Sequence, residues 1–143
     1  MQRARWPRFS PDDKVLADAQ PDPDRQGLDE AWRIWRIFGK FNPDGARWYP
    51  YWDRQAPVAV QPAAIRVSFY SHPGEGVLAV VSNPGRSAQT AAVAFDLHAL
   101  HLDADGVAAR DAMTSEPLAL DRGRISLKLE PESCRLLLLG KRA

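Results

Sequence analysis

From Ala64 onward, apolar and polar residues alternate with a period of two. Ile65, Val67 and Phe69 interleave with Arg66, Ser68 and Tyr70. Ala91, Val93, Phe95 and Leu97 interleave with Thr90, Ala92, Ala94 and Asp96, and Ile125, Leu127 and Leu129 with Arg124, Ser126 and Lys128. Successive side chains of a strand point to opposite faces, so each run predicts a strand with one face turned to a core. Residues 77–81 and 136–139 are apolar at consecutive positions, which predicts strands that are central or covered on both faces. Turn chemistry separates the runs: His72-Pro73-Gly74-Glu75-Gly76, Asn83-Pro84-Gly85, Asp103-Ala104-Asp105-Gly106, Thr114-Ser115-Glu116-Pro117 and Asp121-Arg122-Gly123. Short strands recurring about every ten residues are the mark of a sandwich or barrel. No helical pattern interleaves them, which disfavours a parallel βαβ sheet. The expectation is an antiparallel β-sandwich over residues 63–143, with Ile65, Phe69, Val81, Phe95, Leu127 and Leu136 in one core.

Upstream the period changes. Leu28, Ala31, Trp32, Trp35 and Phe38 fall three and four apart, on one face of an amphipathic helix that Ile34 and Ile37 widen. Gly39 is the expected stop. Asn42-Pro43-Asp44-Gly45 predicts a turn, and Arg47-Trp48-Tyr49-Pro50-Tyr51-Trp52 follows as an aromatic-rich connection. Pro57 and Pro62 frame a short edge strand, 58–60. Residues 27–62 thus read as helix plus connection. Residues 1–26 read as an irregular N-terminal arm, since Pro7, Pro11, Pro21 and Pro23 interrupt any regular element and five aspartates solvate it. The fold class expected is mainly β, a sandwich preceded by one amphipathic helix and that arm.

Composition narrows what such a domain does. Nineteen basic residues against eighteen acidic ones leave a net charge of +1, without the excess of Lys and Arg by which nucleic-acid binders track phosphates. No run approaches the ~20 apolar residues of a membrane span. The start, Met1-Gln2-Arg3-Ala4-Arg5-Trp6-Pro7, lacks the apolar core of a secretory signal, and the compartment stays open. Cys134, the single cysteine, excludes an internal disulfide and is expected to be a buried structural thiol. His98 and His101 lie in a strand end or loop without convergent partners, so they read as surface residues, and His72 reads as a solvated turn residue. No phosphate-binding glycine motif occurs and no nucleophile elbow. Asp111, Glu116 and Asp121 sit in or beside turns, where nothing forces a pair of carboxylates to flank a scissile bond. The chain therefore reads as lacking catalytic residues, a metal site and a cofactor.

Two groups of aromatic residues remain. Trp48, Tyr49, Tyr51 and Trp52 read in two ways. They staple the helix onto the sandwich, or they present a platform on which a sugar's apolar C–H face stacks. Trp32, Trp35 and Phe38 load one helix face so heavily that it must pack against something.

The order "VLAVVSNPGRSAQTAAVAFDLHAL", "ARDAMTSEPLAL" and "GRISLKLEPESCRLLLLG" resembles the C-terminal β-sandwich domain of bacterial glycoside hydrolases whose catalytic domain is a (β/α)8 barrel. The preceding "WRIWRIFGKFNPDGARWYPYW" resembles the last barrel helix and its connection into that sandwich. The resemblance implies a non-catalytic accessory domain that packs on a catalytic barrel and stabilises it, with Trp32, Trp35 and Phe38 at the interface. Two other uses stay open: a stand-alone carbohydrate-binding module using Trp48, Tyr49, Tyr51 and Trp52, or a structural protein that self-associates through the helix face. For the fold, far-ultraviolet circular dichroism is expected to show mostly β-structure with a minor helical part. A helix-dominated spectrum would refute it.

Overall fold

The computed structural model describes residues 25–142, with side chains described from Ala31 onward. Most of the 1–26 arm predicted above lies outside that range. Among the described residues one helix, α1 (Arg25–Phe41), precedes nine strands: β1 (Arg47–Tyr49), β2 (Val58–Gln61), β3 (Arg66–His72), β4 (Gly76–Asn83), β5 (Gln89–Phe95), β6 (Val107–Asp111), β7 (Pro117–Leu118), β8 (Arg124–Leu129) and β9 (Ser133–Lys141). The chain divides into two units, the first ending at Arg36 and the second running from Ile37.

Within α1, Trp32, Ile34, Trp35, Ile37, Phe38 and Phe41 are half-buried, while Arg33, Arg36 and Lys40 are exposed. Gly39 does not stop the helix. The left-handed residue that ends it is Asn42, with φ 55°, whose N–H donates to the Phe38 carbonyl at 2.8 Å. Asparagine tolerates that conformation, so it caps the end that Gly39 was expected to cap.

All strand pairs are antiparallel. A six-stranded sheet has the order β1-β3-β4-β9-β6-β7, and a three-stranded sheet the order β2-β5-β8. The consecutive apolar strands β4 and β9 hold the middle of the wide sheet, and β2, between its prolines, is an edge. Strands β1 and β2 arise inside the aromatic-rich connection, so both sheets begin before residue 63.

Val67, Phe69, Val77, Ala79, Val81, Leu137, Leu139, Val107 and Ala109 of the wide sheet meet Ala91, Val93, Phe95, Ile125, Leu127 and Leu129 of the narrow one in one buried cluster. Across the gap, Phe69 meets Phe95 edge-on with centroids 5.4 Å apart. Leu136 is the exception among the predicted core residues. It pairs with Val80 and so points to the opposite face of the sheet from Leu137, where it is nonetheless buried together with Leu78.

Asn83 joins the sheets by a polar route. Its Nδ2 donates to the carbonyls of Ser87 (2.9 Å), Glu130 (3.2 Å) and Leu129 (3.4 Å), and its Oδ1 accepts the Gly85 N–H at 3.0 Å. Gly123, with φ 88°, carries the turn into β8, and a Cβ there would run into the Phe95 carbonyl. An alanine at Gly123 is therefore strained twice over.

Urea denaturation orders these sites by their mechanisms. Phe69→Ala is expected to cost about 3–5 kcal/mol through the cavity it leaves. Asn83→Ala is expected to cost about 1–3 kcal/mol through the carbonyls it strands, while Ser126→Ala, on the solvent face of β8, should stay within about 0.5 kcal/mol of wild type.

Candidate functional site

The β1–β3 register decides where the aromatic segment points. Tyr49 pairs with Phe69 and Trp48 with Tyr70. Because the side-chain period is two, these pairs occupy opposite faces. Tyr49 turns inward, half-buried, and stacks on Phe69 at 4.7 Å with the rings 26° apart. Trp48 turns outward and lies against Tyr70 at 4.6 Å. After Pro50 the chain turns, with the Asp53 N–H donating to the Pro50 carbonyl at 2.9 Å. The Tyr51 N–H donates to Ser68 Oγ at 2.9 Å, and the Arg66 guanidinium covers the Tyr51 ring 4.8 Å from its centroid. Trp52 meets Tyr51 at 5.0 Å and 87°.

The four aromatics singled out in the sequence thus divide. Tyr49 belongs to the core margin, whereas Trp48, Tyr51 and Trp52 keep exposed faces. Their neighbours Arg66, Ser68 and Tyr70 were not recognised from the sequence. These three form the polar-side set of the β3 alternation, the one signal that marks them as sharing a face.

Of the helix residues, Phe38 meets Tyr70 edge-on at 6.1 Å, and Trp32 and Trp35 are half-buried. His72 is not a solvated turn residue. It ends β3, half-buried, with its ring 4.8 Å from that of Phe41 and its Nε2 2.8 Å from the Asn42 carbonyl, positioned to donate to it. Cys134 is exposed, contrary to expectation. It pairs with Ser82 near one end of the β4–β9 ladder, beyond the buried stretch that begins at Leu136.

His98 and His101 are exposed, and among the described residues no group of three His, Cys, Asp or Glu side chains converges to hold a metal. Glu116 and Asp121 are exposed as well. Asp111 is buried, and both its oxygens are engaged. Oδ1 accepts the N–H groups of Met113 (2.8 Å) and Thr114 (3.0 Å), and Oδ2 accepts from Arg135 Nε (3.2 Å) and Nη2 (3.0 Å). Burial by itself pushes this carboxyl up, but the Thr114 N–H, the Arg135 guanidinium and the Met113 N–H together outweigh burial and hold it below the ordinary carboxylate value. A carboxylate so engaged pins the turn after β6 to β9 and has no oxygen left for proton transfer.

The Asp111 carboxyl binds a proton more weakly folded than unfolded. Its stabilisation is complete above the ordinary value of 3.8 and is lost as the pH falls through the lower folded value. Asp111→Ala is expected to cost about 1.5–3 kcal/mol at neutral pH. The gap between variant and wild type, followed by denaturation at successive pH values, is expected to narrow only below pH 3.8.

Comparison with known proteins places this arrangement. In fold, the chain is similar to part of an α-amylase from Anoxybacillus, at 10% identity and a TM-score of 0.60, over 87% of this chain and 24% of that one. It is likewise similar to a noncanonic maltogenic α-amylase from Thermotoga neapolitana, at 12% identity and a TM-score of 0.55, over 86% of this chain and 27% of that one. The chain spans about a quarter of the length of these enzymes. At such identities the likeness concerns the fold alone. No curated protein sequence matches the chain. A family model does, over residues 30–116, more than half of the chain and from within the helix to the turn before β7. An aromatic-led β-sandwich of this order, with its buried carboxylate committed to structure, belongs to the family of glycoside hydrolase 123 C-terminal domains.

Proposed function

We propose that this chain is a non-catalytic accessory domain of a glycoside hydrolase, packing on a (β/α)8 catalytic barrel and stabilising it. The observation that carries the reading is the family match, because that family is defined as the C-terminal domain of a larger hydrolase. The amylase likenesses agree with it in extent, each relating this chain to about a quarter of a longer enzyme. The state of Asp111 supports the non-catalytic half of the reading. A glycosidase needs two carboxyl groups free to exchange protons or attack, and the buried carboxylate here is saturated with donors.

In this reading the apolar face of α1, with Trp32, Trp35 and Phe38, faces the barrel. Such a face excludes water from a domain boundary, and burying it raises the barrel's resistance to unfolding by mass action.

The test pairs the full chain with a glycoside hydrolase barrel from the same genome. Alone, the chain is expected to release no product from aryl glycosides. Added to the barrel, it is expected to co-elute with it and raise its melting temperature, and the double variant Trp32→Ala, Trp35→Ala to lose both effects. Hydrolysis by the chain alone would overturn the non-catalytic reading. A barrel melting temperature unmoved by the chain would overturn the accessory one.

A further inference from the structure

Trp48, Tyr51 and Trp52 are the large hydrophobic side chains left exposed among the described residues, at 44%, 48% and 68%. One exposed aromatic needs no explanation, but three within five positions form a patch that marks an interaction site. Around Trp52 the patch has a definite shape. The rings of Tyr51 and Trp52 stand at 87° to one another, 5.0 Å apart, and make a corner rather than a flat shelf. The Arg66 guanidinium lies over Tyr51 at 4.8 Å. Ser68 Oγ and the Pro50 carbonyl hold the backbone of this turn before any ligand arrives. Little ordering is then needed on binding.

The chemistry of the corner selects an occupant. A pyranose ring offers an apolar C–H face and a rim of oxygens. Trp52 supplies the ring on which the first stacks, and the guanidinium supplies a fork of donors for the second. Among the described residues no carboxylate pairs with Arg66. The acid of this turn, Asp53, has its Oδ1 committed to the Gln55 N–H at 2.8 Å. The complement of the corner is therefore anionic.

We propose that Trp52, Tyr51 and Arg66 form a binding site for a carboxylate-bearing sugar unit of a polysaccharide, with Trp52 stacked on the ring and Arg66 paired with the carboxylate. The site lies in the turn after β1, and it stands whether or not the accessory reading does.

The full chain is titrated with tetrasaccharides of galacturonate, mannuronate and glucuronate, and with neutral maltotetraose and xylotetraose. Binding is followed by tryptophan fluorescence and calorimetry. At least one acidic tetrasaccharide is expected to bind saturably and more tightly than the neutral ones, and more weakly as salt is raised. Trp52→Ala is expected to weaken binding by about tenfold or more, and Arg66→Met to abolish the preference for acidic over neutral sugars. Both side chains are exposed, so unchanged thermal unfolding will certify the variants as folded. The proposal is overturned if no acidic tetrasaccharide binds, if neutral sugars bind as well, or if both variants bind like wild type.

Discussion

The ring of Phe69 is wholly buried between Tyr49 on one side and Phe95 on the other, and the rest of the domain is arranged around that contact. Phe95 belongs to the narrow sheet and Tyr49 to the edge strand of the wide one, so one side chain ties three strands across the gap. Apolar burial of this kind is the main favourable term in folding, and it has no direction of its own. Here the backbone ladder supplies the direction. Once Tyr49 is drawn inward onto Phe69, the alternation of β1 leaves Trp48 no choice but the outer face. The exposed aromatics are thus a consequence of a buried one.

Polar groups finish what the apolar contact begins. Asn83 and Asp111 are both buried, and each is saturated with partners, Asn83 between the sheets and Asp111 between β9 and the turn after β6. Among the described residues no buried side-chain nitrogen or oxygen lacks a partner. Such groups add little net stability when satisfied but penalise any arrangement that leaves them unmet. They make slippage of one strand past another costly, which is what keeps the faces described above distinct.

Much of the fold was legible because strand alternation is a direct image of burial. Ile125, Leu127 and Leu129 are buried while Ser126 and Lys128 are exposed, as their spacing says. The central places of β4 and β9 followed from apolar residues on both faces. The misplaced strand residues have a common origin in pairing, which sequence does not carry. Leu136 went to the wrong face because the run from Leu136 to Gly140 has no polar position to mark its parity. Cys134 was placed inside because it adjoins that run, though it lies past its buried end. His72 looked like a free turn residue until α1 brought the Asn42 carbonyl to it. The candidate site was half legible. Its rings stood out as a cluster, but the companions Arg66 and Ser68 came only with the β1–β3 register.

The margins of the two sheets have a consequence for how the domain behaves beside a neighbour. β1 has three residues and runs into Pro50, β2 has four and lies between Pro57 and Pro62, and β7 has two and begins with Pro117. Proline withholds the N–H that a foreign strand would need, and so short a rim offers few others. On the fourth margin, β8, Arg124, Ser126 and Lys128 point to solvent. Open sheets invite polymerisation when crowded together. Rims finished in this way leave a foreign strand few groups to pair with.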